Sequence, residues 1–372
     1  MMTLLNSAEL EELRKPVRRF FTDKSPELEV RRLMASREGY DPEVWRQMGS
    51  DLCLQGLMIP EQYGGAGYGL NAMSVVLEEM GRALLPAPFF ATVILAANAL
   101  LLMDDDAARN DYLPGIASGE TIATLALLEE SARWDLSGIK MTATRTANGY
   151  TLDGVKSFVL DGHVADLILV AARTDADVGF FAVEGNAPEL VRAPLATMDQ
   201  TRKQARLEFS GTPARLIGTA GRAEAALRKT LDLAAVALSA EAVGGAQKCL
   251  EMSVEYAKTR VQFGRPIGSF QAIKHKCANM LCEVEASRAA AYHAASVGAA
   301  DSEAAPIVAS LAKAYCSEAY VHCATENIHI HGGIGYTWEH PANLYYKRAK
   351  SSELLFGGPS YHRELLAQRL GI

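Results

Sequence analysis

The sequence predicts an α+β protein in which a strand-rich segment is set between two helical blocks. Three observations carry that expectation. Apolar residues recur at helical spacing through the first 120 residues. Between residues 121 and 210 the pattern changes to short apolar or alternating runs bounded by turn residues. From Ala223 onward helical spacing returns. The expected division is a helical domain over 1–120, a β-domain over 121–213 and a helical bundle over 223–372.

In the first block Ser7 reads as an N-cap, with Glu9, Glu11 and Glu12 in the first turns, where the helix dipole favours anions. Apolar-periodic runs predict further helices over 44–57, 70–84 and 89–103. In the middle block Asn148-Gly149 is a hairpin signal, flanked by strand-like runs at 141–144 and 150–152. Strands are also expected over 167–171, 179–183 and 205–209. In the last block Leu227, Leu231, Ala234 and Leu238 are spaced for one buried helix face. That helix is interrupted near Gly264 and resumes at Gln271, and the Ala-rich tract 286–305 reads as a helix followed by a loop.

Composition narrows the function. Hydrophobic residues make up 49% and charged residues 22%, as in ordinary globular chains. A net charge of -7 offers no basic stripe for phosphate contacts, which argues against a nucleic-acid binder. The six cysteines show no Cys-x-x-Cys spacing and read as free thiols of a reducing compartment. Residues 1–7 carry no charged region followed by an apolar core, so no signal peptide is expected, and no apolar run approaches membrane-spanning length. A cytoplasmic protein is the expectation.

The stretch 256–271, Tyr-Ala-Lys-Thr-Arg-Val-Gln-Phe-Gly-Arg-Pro-Ile-Gly-Ser-Phe-Gln, is the most informative in the chain. If the helix continues through it, Arg260 and Phe263 lie three apart on one face. A guanidinium and a ring so placed can hold an anion and press on a planar group, although a surface Arg and a core Phe beside a loop have the same spacing. Downstream lies His-Ile-His-Gly-Gly-Ile-Gly-Tyr at 329–336. The Gly-rich turn 64–69 follows no predicted strand, so it lacks the context of a dinucleotide loop. His329, His331 and His340 have no Asp or Cys at ligand spacing, so no metal is expected. A Gly-rich turn beside them suits a close backbone approach to a ligand.

These two stretches resemble the acyl-CoA dehydrogenase family of flavoenzymes. The resemblance extends to Pro-Glu-Gln-Tyr-Gly-Gly-Ala-Gly-Tyr-Gly at 60–69, to Gly81-Arg82 followed by Leu85-Pro86, and to Leu-Pro-Gly-Ile-Ala-Ser-Gly at 113–119, so it covers nearly the whole chain. It implies the acyl-CoA dehydrogenase fold: an N-terminal helical domain, a middle β-domain and a C-terminal four-helix bundle. It also implies FAD as cofactor, an acyl-CoA thioester as substrate, an electron-transfer flavoprotein as acceptor and an oligomer of like or related chains. In that family the Arg-x-x-Phe-Gly and His-Gly-Gly-x-Gly segments reach across an interface to a neighbour's FAD. By resemblance Arg260 meets the pyrophosphate, Phe263 packs on the adenosine end, Gln262 and Gln271 line the groove, and Gly332 and Gly333 admit the backbone. His329 replaces the usual Gln and retains a hydrogen-bond donor.

The middle block departs from the family. Leu128 stands where a flavin-contacting Thr is expected, Trp134 where a Ser is, and Phe158-Val159-Leu160 replaces Trp-Ile-Thr. Phe158 keeps a ring for the flavin; Leu160 has no hydroxyl. The catalytic base is missing from both usual positions, which hold Phe356 and Ala234, and Ala235 replaces an Arg that helps hold CoA. Glu241, two helical turns beyond Ala234, is a weak substitute; a helix Glu at a packing contact is the plainer reading. The expectation is a subunit of an FAD-dependent acyl-CoA dehydrogenase, the half without a base in a heteromer of related chains such as actinobacteria assemble. A flavin oxidase or monooxygenase of the same fold and a non-catalytic partner subunit remain open.

Overall fold

A computed structural model describes residues 5–147, 149–175, 177–219, 222–300 and 302–372. Asn148 of the anticipated hairpin turn and residues 1–4 of the segment read for a signal peptide lie outside the described residues. The chain clusters into two compact units. One comprises Arg32–Gly69 and Pro86–Ala234; the other comprises Leu70–Leu85 and Ala235–Ile372 together with α1 (Ser7–Lys24). Helix α2 (Glu27–Ala35) and the long α7 (Ala223–Thr259) are divided between them.

Helix α1 begins one residue after its cap, and that cap is Asn6 rather than Ser7. The Asn6 side chain accepts from Ala8 N at 2.9 Å and Glu9 N at 3.2 Å, and the Glu9 carboxylate accepts from Asn6 N at 2.8 Å. This is a capping box, and it outcompetes a serine one position too late.

In the unit holding the strands, α3 (Pro42–Ser50) ends well before residue 57, shorter than its apolar pattern predicts. Leu54, Leu57 and Met58 are buried, but in turns after Cys53 takes a left-handed φ of 50°. Burial alone cannot distinguish a packed turn from a last helical turn. The Gly-rich turn follows a short 3-10 turn at Glu61–Tyr63 and is wrapped by its own backbone. A Cβ on Gly65 would lie 1.9 Å from Ile59 O, so glycine is demanded there by chain packing. The apolar run after Phe89 winds as a π-helix over Phe90–Ala96 before α5 (Ala97–Leu102), and α6 (Asp106–Ser118) follows.

Seven strands follow: β1 (Ala123–Ala126), β2 (Thr142–Thr146), β3 (Gly149–Leu160), β4 (Leu167–Arg173), β5 (Val178–Glu184), β6 (Leu190–Pro194) and β7 (Gln204–Ile217). The order is β1-β4-β2-β3-β7-β5, with β6 on β7. Because β5 pairs with both β7 and β4, the ladder closes on itself as a small barrel does, leaving few free edges. The antiparallel β2–β3 pair sets Thr146 opposite Gly149, so Gly149 opens the strand instead of lying in the turn where the Asn148-Gly149 signal put it.

The helical unit contains α4 (Leu70–Ala83), most of α7, α8 (Gln271–Ala299), α9 (Ala305–His331), the single turn α10 (Gly333–Tyr336), α11 (Ala342–Leu354) and α12 (Pro359–Leu370). Two glycines let α4 and α7 cross closely. A Cβ on Gly244 would meet Glu78 O at 1.8 Å, and one on Gly81 would meet Glu241 O at 2.0 Å. Only backbone without side chains fits at both points. A charged network braces the same crossing. Glu79 takes Arg18 at 2.8–2.9 Å and Arg14 at 2.8 Å, and Tyr292 donates to Glu78 at 2.6 Å. No helix among the described residues is long and apolar enough to cross a membrane.

Candidate flavin-contacting segments and base positions

Helix α7 stops at Thr259, so Arg260 and Phe263 do not share a helix face as their spacing predicted. They belong instead to a hairpin of β8 (Val261–Gln262) and β9 (Arg265–Pro266), with Gln262 opposite Arg265. The two-residue turn is Phe263-Gly264, at φ values of 54° and 75°. Both are left-handed, as the twist of a tight hairpin requires, and this places a non-glycine residue under strain. The turn pushes the Phe263 ring outward to 89% exposure. Its contact within the chain is an edge-on approach to Phe270 at 6.0 Å, while the Arg265 guanidinium lies 4.1 Å over the Phe270 ring. Arg260, Gln262 and Gln271 are exposed as well.

The second segment caps α9. His329 is exposed on the last turn, with Nδ1 3.4 Å from Glu326 Oε1. Gly332 takes φ 64° and ψ −140°, a conformation open to glycine, and an added Cβ at Gly332 or Gly333 would meet nothing within 4 Å. The ends of α7 and α9 are brought together, since the Tyr256 and His331 rings stack at 4.3 Å. Among the described residues no group of three or more His, Cys, Asp and Glu could hold a metal ion.

Phe158 belongs to the strand unit, near the end of β3, at φ 56° and 46% exposure. Its neighbours in the departing motif face inward: Leu128 is 6% and Leu160 3% exposed. Their carbonyls are engaged, Leu128 O by Ser157 N at 2.8 Å and Leu160 O by Thr124 Oγ1 at 2.6 Å. Trp134 is half-buried in the loop after β1.

Sequence reasoning missed a buried pair beneath this strand. Lys156 Nζ donates to Glu129 Oε1 at 2.8 Å and to Leu127 O at 3.1 Å. Burial pushes the lysine down to about 8 against the pull of Glu129. Burial also raises the Glu129 carboxyl, but Lys156 and the amides of Met141 and Lys140 more than offset it, leaving it below the ordinary range. The signal was available in strand parity: Lys156 shares the inward side with Leu152, so an acidic partner was required.

The two positions where the resemblance leads a base to be expected carry no carboxylate. Ala234 is fully buried, and Phe356 is 4% exposed at φ 61°. The loop carrying Phe356 is clamped by Lys313, whose Nζ donates to Glu353 O at 3.1 Å, Gly357 O at 3.0 Å and Ser317 Oγ at 3.0 Å. Glu241 is 5% exposed and accepts Nη1 of Arg348 at 2.7 Å, Arg348 being 3% exposed. Its carboxylate is engaged in a buried ion pair.

The same fold recurs in known proteins. Family models for the acyl-CoA dehydrogenase N-terminal, middle and C-terminal domains match residues 7–120, 124–212 and 223–371. The chain is 36% identical to the acyl-CoA dehydrogenase IpdE2 of Mycobacterium tuberculosis over 340 residues, covering 91% of this chain and 88% of that one. A chain of the Tcur3481-Tcur3483 steroid ACAD superposes with a TM-score of 0.88 at 33% identity, over 98% of each chain. A chain of the ChsE4-ChsE5 complex from Mycobacterium tuberculosis superposes with a TM-score of 0.88 at 29% identity, over 100% of this chain and 99% of that one. Members of the matched family are oxidoreductases that bind FAD. A helical block, a closed sheet and a helical bundle, matched in order from end to end, leave one conclusion: the chain belongs to the acyl-CoA dehydrogenase family.

Proposed function

We propose that this chain is one subunit of an FAD-dependent acyl-CoA dehydrogenase, built to complete a partner chain's flavin site and without a catalytic base of its own. The observation that carries the reading is the β8–β9 hairpin, which holds the Phe263 ring 89% exposed beside an exposed Arg260. A single chain gains nothing by solvating a strained aromatic turn; a partner's cofactor gives it a purpose. The residues present suit the adenosine and pyrophosphate half of FAD. Arg260 offers charge-assisted donors to the phosphates, Phe263 a face for the adenosine end, and Gln262, Gln271 and His329 further donors. Gly332 and Gly333 leave open space where a side chain would block approach. FAD, when bound, supplies the acceptor for the β-hydride of the acyl group.

The strand unit suits the other half of the cofactor less well. Phe158 keeps an exposed ring, whereas Leu128 and Leu160 bury apolar side chains at positions where the family presents Thr hydroxyls. A polar flavin edge left without a partner costs about 1–3 kcal/mol per group. The α-proton needs a carboxylate, and its absence at Ala234 and Phe356 supports a base supplied by a related chain; in this reading acyl-CoA is the substrate and an electron-transfer flavoprotein the acceptor. Heteromeric relatives supply the precedent, ChsE4-ChsE5 being a complex of two named chains.

The test is to purify the chain alone and co-expressed with a related chain, then compare flavin absorbance and bleaching by acyl-CoA. The lone chain should carry clearly less than one FAD and should not bleach, while the co-assembled enzyme does both. One tightly held FAD per lone chain, bleached by acyl-CoA, overturns the reading.

A further inference from the structure

The His-Gly-Gly motif contains a histidine that the flavin assignment does not use. His331 is the last residue of α9, immediately before Gly332, and is only 5% exposed. Its ring contacts two others. Tyr256, on the last turn of α7, stacks on it at 4.3 Å and 29°. His340, in the loop leading into α11, lies against it at 4.2 Å and 43°. Each outer ring is tied to a segment of interest. Tyr256 O accepts from Arg260 N at 2.8 Å, so the tyrosine turn carries the base of the hairpin. His340 Nδ1 accepts from Ala342 N at 3.2 Å, and its carbonyl accepts from Asn343 Nδ2 at 2.6 Å. His331 Nδ1 donates to Asn327 O at 2.8 Å, which sets its tautomer and fixes the ring plane one turn back on its own helix.

We propose that His331 is a positioning residue, whose buried ring, in contact with Tyr256 and His340, couples the Arg260 hairpin to the Gly332-Gly333 turn and holds both in the orientation that receives a flavin. The inference rests on the flavin role given above to those two segments. The ring cluster needs uncharged imidazoles. A charged His331 brings an imidazolium against His340, and two charged rings at 4.2 Å repel. Burial lowers the pKa of both histidines; the Asn327 carbonyl partly opposes this at His331, while at His340 the charge of His331 adds to it. The other charged groups facing His340 come from α2, where Glu27 favours its proton and Arg31 disfavours it. The phenol ring of Tyr256 also stacks on His331. Acidification is therefore expected to loosen the two segments together.

The experiment compares wild type, His331→Ala and His331→Phe by amide hydrogen exchange of the full chain at pH 7.5 and 5.5, following residues 260–266 and 332–336. FAD retention by the co-assembled oligomer is measured in parallel, with Arg260→Ala as reference. In the alanine variant both segments should exchange about tenfold faster at either pH, the scale of two lost ring contacts. The phenylalanine variant should restore wild-type exchange at pH 7.5 and remove the acceleration that wild type shows at pH 5.5. Unchanged exchange in His331→Ala, acceleration of one segment only, or an undiminished pH response in His331→Phe overturns the coupling. If exchange responds as expected but neither His331→Ala nor Arg260→Ala weakens FAD retention, the coupling stands as a link between segments and the flavin role is what fails.

Discussion

Glu241 offers the sharpest test of how this chain uses its carboxylates. The group is 5% exposed, its Oε1 lies 2.7 Å from Arg348 Nη1, and its backbone sits where a Cβ on Gly81 would come within 2.0 Å of Glu241 O. A crossing that tight cannot relax readily to admit water. Glu241→Ala removes a buried charged partner of the Arg348 guanidinium, at a cost of about 3–5 kcal/mol. At roughly 2–4 °C per kcal/mol for units of this size, the melting temperature should fall by about 6–20 °C. Glu241→Gln keeps an acceptor and most of the volume, so its loss should be nearer the 1.5–3 kcal/mol of a hydrogen bond to a charged group. Replacing the pair with Glu241→Leu and Arg348→Met should recover most of the stability, because both charges leave together. The assay is thermal and urea unfolding of each variant beside acyl-CoA bleaching of the co-assembled enzyme. If the double variant folds and loads FAD like wild type but no longer bleaches, Glu241 is the base and the packing assignment is wrong. An Ala variant as stable as wild type refutes the ion-pair argument itself.

Arg260→Ala should cost the assembled enzyme about 10–100-fold in FAD affinity, the worth of a charge-assisted contact, whereas Arg265→Ala forfeits mainly an exposed cation–π contact of about 0.5–1 kcal/mol with Phe270; titration of apo-oligomer with FAD separates them. His362, 3% exposed and pushed down by burial to about 4, should make stability fall on acidification. Between its unfolded value of 6.5 and about 4 the unfolded chain takes up a proton that the folded chain refuses, a linkage worth roughly 3 kcal/mol. His362→Phe should flatten that part of the profile in urea midpoints read at pH 7 and 5. Gly244→Ala should destabilise the helical unit by several kcal/mol, since its methyl would meet Glu78 O at 1.8 Å; a denaturation midpoint unchanged from wild type would contradict the close crossing of α4 and α7.

How far the sequence could be read depended on whether a local pattern had one physical cause. Leu70–Ala83 was legible as α4 from its apolar spacing, although every residue from Leu70 to Gly81 is buried, the polar ones included. The strands β4 and β5 were legible as apolar runs between turn residues. Two strands of the seven-stranded sheet escaped notice. β1 is four buried residues with no alternation, and β6 is an edge strand carrying Arg192 and ending at Pro194. The hairpin tip was misassigned to a helix because i,i+3 spacing suits that reading, although Phe263-Gly264 between Val-Gln and Arg-Pro is also a two-residue turn. The site's polar logic was least legible. Glu241 and Arg348 lie 107 positions apart, and nothing local announces that a glutamate on an Ala-rich helix is already paired. Likewise the ring stack joins Tyr256, His331 and His340, which only the fold brings together.

The hairpin also bears on how such a chain must be made. A bare Phe263, with Val261 53% and Tyr336 83% exposed, is sticky surface of a kind that captures other partly assembled molecules. On the proposed reading, a cell that produces such a subunit in excess of a related chain accumulates chains with uncovered aromatic tips, which are substrates for aggregation and proteolysis. Matched supply of the two chains, or their assembly close to the site of synthesis, would then follow from the exposure of a few apolar side chains.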